Sequence, residues 1–388
     1  MDIRALSRSF FQETVDLRRF LHRNPELSGQ ESATSALVEE KLREWGIPCR
    51  RVPGNGIVGF IDGGHTGKTV ALRADMDALP VDEENETSFR SAVKGVSHAC
   101  GHDCHVASLL TASRILGGMR KDLAGNVRLI FQPSEEAPPG GAGDMVRYGA
   151  MENVDGIFGV HMVTNIDVGH VSVEAGTRMA ASLRAYVDIK GRGGHGGVPH
   201  ECVDAIVAGS AVVMNLQTIV SRELPIYDPV AITVGVFRGG DAFNAVSENV
   251  HMEATIKFFN VSLKEKLEES IARIVTNTAG TFRARSSVRV EGFCKPVAND
   301  PVLSGIAERA AKNLFGAGAV ISCPPWSASE DFARYLERAP GVFAFIGGRN
   351  EKKLPAYPPH HPKFDIDEDA LEVASALYAQ FAVDFLSQ

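Results

Sequence analysis

The stretch Asn126-Val-Arg-Leu-Ile-Phe-Gln-Pro-Ser-Glu-Glu136 is a short apolar run that ends in a proline and two adjacent carboxylates. Such a run, bounded by turn-forming residues, predicts a buried β-strand. Upstream, residues 69–73 form a second apolar run, and residues 106–119 repeat apolar side chains at helical spacing. This rhythm of strand, helix and strand indicates an α/β sheet protein, in which sites lie at the carboxyl ends of the strands.

The pair Glu135-Glu136 lies where that edge of the sheet is expected. Neighbouring side chains at a strand end point to opposite sides, so one carboxylate can bind a metal ion while the other reaches a water molecule. The alternative is a solvated acidic turn, which is the usual environment of a Glu-Glu pair. The position between a buried strand and a glycine-rich loop favours the first interpretation.

The segment Gly95-Val-Ser-His-Ala-Cys-Gly-His-Asp-Cys-His105 concentrates five soft or borderline metal-ligand side chains. These are His98, Cys100, His102, Cys104 and His105. Thiolates and imidazoles suit Zn²⁺ and neighbouring transition metals better than Mg²⁺ or Ca²⁺, which prefer oxygen ligands. Taken alone, Cys100-Gly-His102 favours a buried thiol beside a capping histidine, and the density of histidine and cysteine around it makes the metal site about as favourable an interpretation.

Two further histidine positions admit two interpretations each. His161 ends the apolar run of residues 156–161, where it is either a hydrogen-bonded core residue or a metal ligand. His360 and His361 lie in the proline-rich stretch of residues 356–364, which predicts a rigid loop. Consecutive histidines in a loop are usually solvated, so this pair is suggestive only in combination with the other candidate ligands.

From about residue 179 the hydrophobic pattern changes. Segments of alternating and of helical period follow one another as strands 183–190, 231–237, 250–259 and 283–290, with helices at 203–219 and 264–280. The order β-α-β-β-α-β predicts a ferredoxin-like α+β insert over residues 180–291. The chain is therefore expected to form two domains, because residues 1–179 and 292–388 remain for a discontinuous main domain.

Length and composition agree with a two-domain globular enzyme. The 388 residues exceed what one ordinary core holds. The apolar fraction of 44% and the charged fraction of 23% are average for a globular protein. The net charge of −8 argues against nucleic acid as a partner, although a small anionic substrate remains compatible because local charge can oppose the overall sign.

The same counts predict a cytoplasmic location. The six cysteines are scattered without the density of a disulfide scaffold, which is typical of a reducing compartment. The first residues carry frequent charges and no apolar core of a signal peptide. No stretch approaches about 18 uninterrupted apolar residues, so the sequence predicts neither a membrane-spanning helix nor a membrane partner.

Seven ordered motifs resemble those of the M20 metallopeptidases, and the resemblance runs from about residue 16 to residue 375. More narrowly, they resemble the amidohydrolase branch that includes hippurate hydrolase, the indole-acetyl amino acid hydrolases and N-acetyl-diaminopimelate deacetylase. The motifs are Leu21-His-Arg-Asn-Pro-Glu-Leu-Ser28, Arg73-Ala-Asp-Met-Asp-Ala-Leu-Pro80, His98-Ala-Cys-Gly-His-Asp103, Phe131-Gln-Pro-Ser-Glu-Glu136, Gly159-Val-His161, Gly191-Arg-Gly-Gly-His195 and His360-His-Pro-Lys-Phe364.

The resemblance implies a zinc-peptidase-like α/β catalytic domain with an inserted lid or dimerisation domain. It also implies two divalent metal ions per subunit, with Zn or Mn as the first candidates and Co or Ni as others. The implied ligands are Cys100, His102, Glu136, His161 and His360. Cys100 would bridge the two ions, Glu135 would act as general base, and Asp75 would orient a ligand histidine.

For the insert, the resemblance implies a homodimer or tetramer in which His195 reaches the partner's site and donates to the oxyanion. Asn244 matches a position that faces substrate. Lys257 departs from the family pattern, because relatives commonly have arginine there. Lysine cannot form the bidentate fork that arginine makes with a carboxylate, so the selectivity for the substrate carboxylate would differ if this position contacts it.

The implied function is hydrolysis of N-acyl amino acids, such as N-acetyl or N-benzoyl derivatives, to a carboxylate and a free amino acid. The alternative on the same two-metal site is a dipeptidase or carboxypeptidase. A non-catalytic metal-dependent binding protein is disfavoured, because such a protein would have no need for the intact Glu135-Glu136 pair. The acyl group and the amino acid depend on pocket walls that the sequence does not identify.

Overall fold

The structure is a computed structural model that describes residues 2–388. The chain forms two compact units. The main unit contains the residues through Arg178 together with Ala298–Pro324 and Asp331–Gln388, and the inserted unit contains Met179–Val297 and Pro325–Glu330. The insert expected at residues 180–291 thus lies inside the inserted unit, which extends further along the chain and takes in a short distant segment.

The strands and helices alternate through both units. The strands are β1 Cys49–Val52, β2 Gly56–Ile61, β3 Thr69–Asp75, β4 Asn126–Gln132, β5 Gly156–Asp167, β6 Val171–Ser172, β7 Gly176–Met179, β8 Ala181–Lys190, β9 Gly194–His195, β10 Val230–Gly239, β11 Ala245–Val246, β12 Asn249–Phe258, β13 Arg285–Cys294, β14 Val297–Asn299 and β15 Gly341–Arg349. The α-helices are α1 Ile3–Ser9, α2 Phe11–Arg23, α3 Ser32–Glu44, α4 His102–Gly118, α5 Ala142–Arg147, α6 Ala205–Thr218, α7 Lys264–Thr281, α8 Pro301–Phe315, α9 Ala333–Leu336 and α10 Ala370–Leu386.

The main unit is built on a seven-stranded sheet in the order β1-β2-β4-β3-β5-β15-β6. Strands β4, β3, β5 and β15 are parallel to one another, whereas the flanking pairs are antiparallel. Every residue of β3 is buried, as expected for a strand covered on both faces. The α/β fold predicted from the sequence is therefore confirmed, and β3 and β4 end at Asp75 and Gln132, next to the predicted site residues.

Helix α4 explains why the metal-ligand stretch is buried. The helix packs within the main core, where Leu109 and Leu116 share one cluster with Leu377 and Phe381 of α10. The sequence pattern placed the start of this helix four residues too late, because α4 already begins at His102. Its first turn therefore holds polar side chains inside the protein, where each needs a partner.

The inserted unit has an antiparallel sheet in the order β10-β12-β8-β13. With α6 and α7, the chain order is β-α-β-β-α-β, as the periodicity predicted. Alternate residues of β8, such as Leu183, Ala185 and Val187, are buried in a separate core. The unit therefore has its own hydrophobic centre.

Helix α6 qualifies the expectation about membrane spans. The segment Ala205–Glu223, which comprises α6 and a π-helical continuation over Ile219–Glu223, is long and apolar enough to cross a membrane by length and composition alone. One such segment is a weak indication, because a helix of a soluble protein passes the same test. Here Ala208, Val212 and Leu216 are buried on the unit's own core, while Val207 and Met214 are exposed.

Candidate metal centre

Five side chains predicted as metal ligands converge in the main unit. Cys100 Sγ lies 3.5 Å from His161 Nε2. Glu136 Oε1 lies 3.8 Å from His102 Nε2 and 3.4 Å from His360 Nε2. Ligand atoms of Cys100, His102 and His161, and likewise those of Cys100, Glu136 and His360, lie within 4.8 Å of one another. Two overlapping groups that share a thiol fit a pair of neighbouring ions.

Orphaned polar atoms at the centre of this cluster indicate that it fits a cation. His102 Nε2 and Glu136 Oε1 are buried without a hydrogen-bond partner among the residues that the structure describes. A buried polar atom without a hydrogen-bond partner destabilises the folded state by about 1–3 kcal/mol. Two such atoms facing each other are therefore unusual in the core of a native protein. Imidazole, thiolate and carboxylate donors together suit a transition metal ion.

His102 is held by a carboxylate at its other nitrogen. Asp77 Oδ1 lies 3.2 Å from His102 Nδ1, which leaves Nε2 facing the cluster. Burial alone would lower the pKa of His102, but the carboxylates of Asp75, Asp77 and Glu136 raise it to about 10. The pocket therefore has an excess of negative charge, which favours any cation placed in it.

Cys100 and His161 both remain neutral in the absence of a bound cation. Burial, reinforced by Glu136 and Glu135, raises the pKa of the Cys100 thiol well above its usual range. Burial and the neighbouring His105 lower the pKa of His161 well below its usual range. His161 Nδ1 donates to the Met162 carbonyl oxygen at 2.7 Å, so the lone pair of Nε2 points towards Cys100. A metal-bound thiol would be deprotonated.

His360, rather than His361, faces the cluster. Its backbone adopts a left-handed conformation with φ 69°, and its N–H donates to the Ala99 carbonyl oxygen at 2.7 Å. This conformation is uncommon for a residue other than glycine and is found at functional sites. The His361 ring instead stacks on Tyr357, with ring centroids 4.5 Å apart.

Glu135 lies beside the cluster without belonging to its core. Its Oε1 accepts a hydrogen bond from the Asp331 backbone N–H at 3.4 Å. One of its carboxylate oxygens lies within 4.8 Å of ligand atoms of His102 and Glu136. The two adjacent glutamates therefore reach neighbouring but different points from the bend that follows β4.

Asp75 contacts His105 and Arg73 more closely than it contacts the candidate ligand His102. Its carboxylate accepts from His105 Nδ1 and from Arg73, both at 2.6 Å, whereas His102 Nε2 is 3.8 Å away. The carboxylate that lies within hydrogen-bond distance of the His102 ring is that of Asp77, two residues further along the chain. Asp77 Oδ2 also accepts from the Glu136 backbone N–H at 2.9 Å. Asp77 thus ties two candidate ligands together, a role that the sequence interpretation missed.

The three candidates of the inserted unit lie in two places. His195 is exposed on β9, which pairs with β11 through Ala245, next to Asn244. The Asn244 carbonyl oxygen accepts from the Gly196 N–H at 2.8 Å, so these two candidates are neighbours. Lys257 lies near the other end of β12 and donates to the hydroxyl of Ser329.

Comparisons with known proteins agree with the resemblance. The family model described as Peptidase family M20/M25/M40 matches residues 71–384. Thermostable carboxypeptidase 2 of Saccharolobus solfataricus is 38% identical over 96% of this chain and 95% of its own. IAA-amino acid hydrolase ILR1-like 4 of Arabidopsis thaliana is 36% identical over 98% and 88%, and N-acetyl-L-cysteine deacetylase of Bacillus subtilis is 36% identical over 94% and 86%.

Among solved structures, a Bacillus subtilis protein described as a dinuclear metal-binding peptidase of the M20 family is similar throughout. Its TM-score is 0.86 at 32% sequence identity, and the match covers 98% of this chain and 99% of that one. The likeness therefore extends over both units.

Proposed function

The chain belongs to peptidase family M20/M25/M40, and from this premise we propose that it is a metal-dependent amidohydrolase of N-acyl amino acids. The observation that carries the proposal is the cluster of one thiol, three imidazoles and one carboxylate with Glu135 beside it, which is buried at Cys100, His102 and His161 and exposed at His360. Relatives named as an IAA-amino acid hydrolase and an N-acetyl-L-cysteine deacetylase support this substrate class.

The residues that would hold two divalent ions are Cys100, His102, Glu136, His161 and His360. Cys100 is the candidate bridging ligand, because its sulfur belongs to both overlapping groups. Zn and Mn are the first candidates for the ions, and Co and Ni also suit this ligand set. When bound, such ions would polarise the scissile carbonyl and lower the pKa of a water molecule towards about 7.

Glu135 is the proposed general base. Its carboxylate accepts a proton from the attacking water and returns that proton to the leaving nitrogen, since an unprotonated amine is a poor leaving group. Asp77 contacts the His102 ring and the Glu136 backbone N–H. It therefore helps to fix the positions of these two ligands relative to Glu135. The roles of base and ligand thus fall on adjacent residues of the bend that follows β4.

The inserted unit supports a homodimer. Large apolar side chains are exposed on α6, on β10 and in the adjoining loops. They are Val207, Met214, Ile226, Tyr227, Phe237 and Phe243. An apolar surface of this kind favours contact with a second copy of the chain. In that dimer, His195 of the partner subunit would donate to the oxyanion, and Asn244 would lie with it.

The substrate is proposed to be a small molecule, and Lys257 is the candidate contact for its carboxylate. Lysine presents a point charge rather than a fork, so this contact is expected to be less selective for carboxylate geometry than arginine would be. Each of the six cysteines carries a free thiol, which supports a reducing, cytoplasmic location.

A dipeptidase or carboxypeptidase is the second candidate, favoured by a relative named as a thermostable carboxypeptidase. The test is a hydrolysis screen of N-acetyl and N-benzoyl amino acids against dipeptides and N-blocked peptides, after reconstitution with Zn, Mn, Co or Ni in turn. We expect the highest kcat/KM on an N-acyl amino acid. A higher kcat/KM on peptides would favour the second candidate, and no hydrolysis with any metal would contradict both.

A further inference from the structure

The cluster contains a third buried histidine, which creates an ambiguity. Ligand atoms of Asp75, His102 and His105 lie within 4.8 Å of one another, as do those of Cys100, His102 and His161. By composition, either group could hold an ion. We infer that His105 is not a ligand but a positioning residue, which holds His161 through the backbone amide of Met162.

Both ring nitrogens of His105 already have partners. The Met162 N–H donates to His105 Nε2 at 2.9 Å, so this nitrogen is the unprotonated one. Nδ1 therefore carries the proton and donates it to Asp75 Oδ1 at 2.6 Å. A metal ligand needs a lone pair directed at the ion, and the lone pair of His105 is directed at a peptide N–H. His161 differs, because its Nε2 faces the Cys100 sulfur.

The contact to Met162 acts on the backbone of the ligand itself. The N–H that His105 accepts belongs to the peptide bond that joins His161 to Met162. The Met162 carbonyl oxygen in turn accepts from His161 Nδ1 at 2.7 Å. The imidazole of His161 is thus held by the carbonyl of Met162, and the chain at its Cα is held by His105. The two rings also make an edge contact, with centroids 5.0 Å apart.

The His105 ring is itself held by Asp75, which belongs to a buried network of charged side chains. The side chain of Arg73, with no exposed surface, donates to Asp75 at 2.6 Å and to Gln132 at 2.9 Å, and lies 3.1 Å from Asp331. Rotating the His105 ring would leave a buried carboxylate oxygen of Asp75 without its donor, which is costly. The arrangement therefore holds one geometry at His161, as outer partners of metal-ligating histidines do.

Two substitutions separate the two hydrogen bonds. In His105→Asn the carboxamide nitrogen takes the place of Nδ1, which keeps the donor to Asp75 but removes the acceptor for the Met162 N–H. In His105→Gln the carboxamide oxygen takes the place of Nε2, which keeps that acceptor and removes the donor. Ser108→Ala is the matched control, because Ser108 is buried on the same helix and its hydroxyl has no hydrogen-bond partner among the residues described.

The measurement is a Co²⁺ titration of the full-length metal-free protein, followed by visible absorption and thiolate charge-transfer bands. This inference rests on the proposed two-ion site, so the wild type is titrated first, and a wild type that binds no Co²⁺ through a thiolate contradicts the proposed function instead. We expect His105→Asn to bind as many ions as the wild type, with a shifted spectrum and a Kd raised roughly 10- to 100-fold. The Kd and the spectrum of His105→Gln should lie closer to those of the wild type. The Kd and the spectrum of Ser108→Ala should equal those of the wild type.

Three results would overturn the inference while leaving the proposed function intact. The first is a His105→Asn protein with the affinity and spectrum of the wild type. The second is loss of one bound ion in either variant, which would make His105 a ligand. The third is a His105→Gln protein as impaired as His105→Asn, which would assign the effect to packing. If His105→Asn does not fold, the ion count of His105→Gln against wild type decides between ligand and positioning residue.

Discussion

The histidines of the candidate metal centre and His195 of the inserted unit differ in what holds them. In the main unit, His102 is fixed by Asp77, and His161 by the Met162 carbonyl oxygen. In the inserted unit, the exposed His195 ring accepts a local hydrogen bond from the Gly197 N–H at 3.0 Å, its only such contact among the residues that the structure describes. The first region is organised by its own surroundings, whereas the His195 ring is exposed and its contact is local.

The largest expected effect tests the buried region. Glu135→Gln removes the proposed base while keeping its size and its capacity to accept from the Asp331 N–H. We expect kcat to fall by at least 10²- to 10⁴-fold, the range of general acid–base catalysis, while the bound metal is unchanged. Activity assays with metal analysis check both, and exposed Glu86→Gln is the control. Near-native turnover would remove the base assignment.

The next effect tests the exposed region. His195→Ala should lower kcat by about 10²- to 10³-fold, the value of one oxyanion donor, without changing metal content or unfolding free energy. Mixing Glu135→Gln subunits with His195→Ala subunits should then restore up to about a quarter of native activity, since half of a random mixture is heterodimer with one complete site each. If verified heterodimers recover no activity, His195 does not act in the partner's site. The contrast drawn between the buried histidines and His195 would then lose its functional meaning.

A third effect concerns stability in the buried region. Burial and Arg18 would lower the pKa of His22, but Asp103 and Glu83 raise it from 6.5 to about 9. Because the folded-state pKa lies above the unfolded one, the stabilisation is complete below pH 6.5 and is lost as the pH rises through about 9. Its size is on the order of 3 kcal/mol. His22→Gln should therefore flatten the fall in unfolding free energy between these pH values.

The control for that measurement comes from the other region. The His200 side chain is 75% exposed in the inserted unit, and His200→Gln should leave the pH dependence as in the wild type. Urea unfolding of the metal-free protein from pH 6 to pH 10 gives all three curves. If the unfolding free energy falls with pH at the same slope in the wild type and in His22→Gln, the contacts of His22 with Asp103 and Glu83 do not supply this stability.

The sequence predicts most of what is set by local pattern. Alternating and helical periods predicted the order of elements in the inserted unit, and the apolar run before Glu135 predicted the strand β4. The segment Pro325–Glu330 could not be assigned, because it joins the inserted unit from far along the chain. The partners of His105 could not be assigned either, because Met162 and Asp75 meet it only after the sheet and α4 have packed.

Asp75 and Asp77 show the limit of local pattern most clearly. They are two residues apart, so an extended chain points both to the same side, and residue type does not distinguish them. The packed structure does, because Arg73 and His105 occupy the Asp75 carboxylate, while Asp77 contacts His102 and the Glu136 backbone. Asp75 therefore belongs to the buried charge network, whereas Asp77 contacts two of the candidate ligands.

The smallest expected effect separates these two roles. Asp77→Asn should raise the metal Kd by roughly 10- to 100-fold, because the His102 ring loses its orienting carboxylate, with a smaller change in the stability of the metal-free protein. Asp75→Asn should chiefly lower that stability, because it leaves the charge of Arg73, a fully buried side chain, partly uncompensated. Chelator competition gives the Kd values, and urea unfolding of the metal-free proteins gives the stabilities. If Asp75→Asn weakens metal binding more than Asp77→Asn and leaves stability unchanged, Asp75 orients the ligand, and the division of the two carboxylates is wrong.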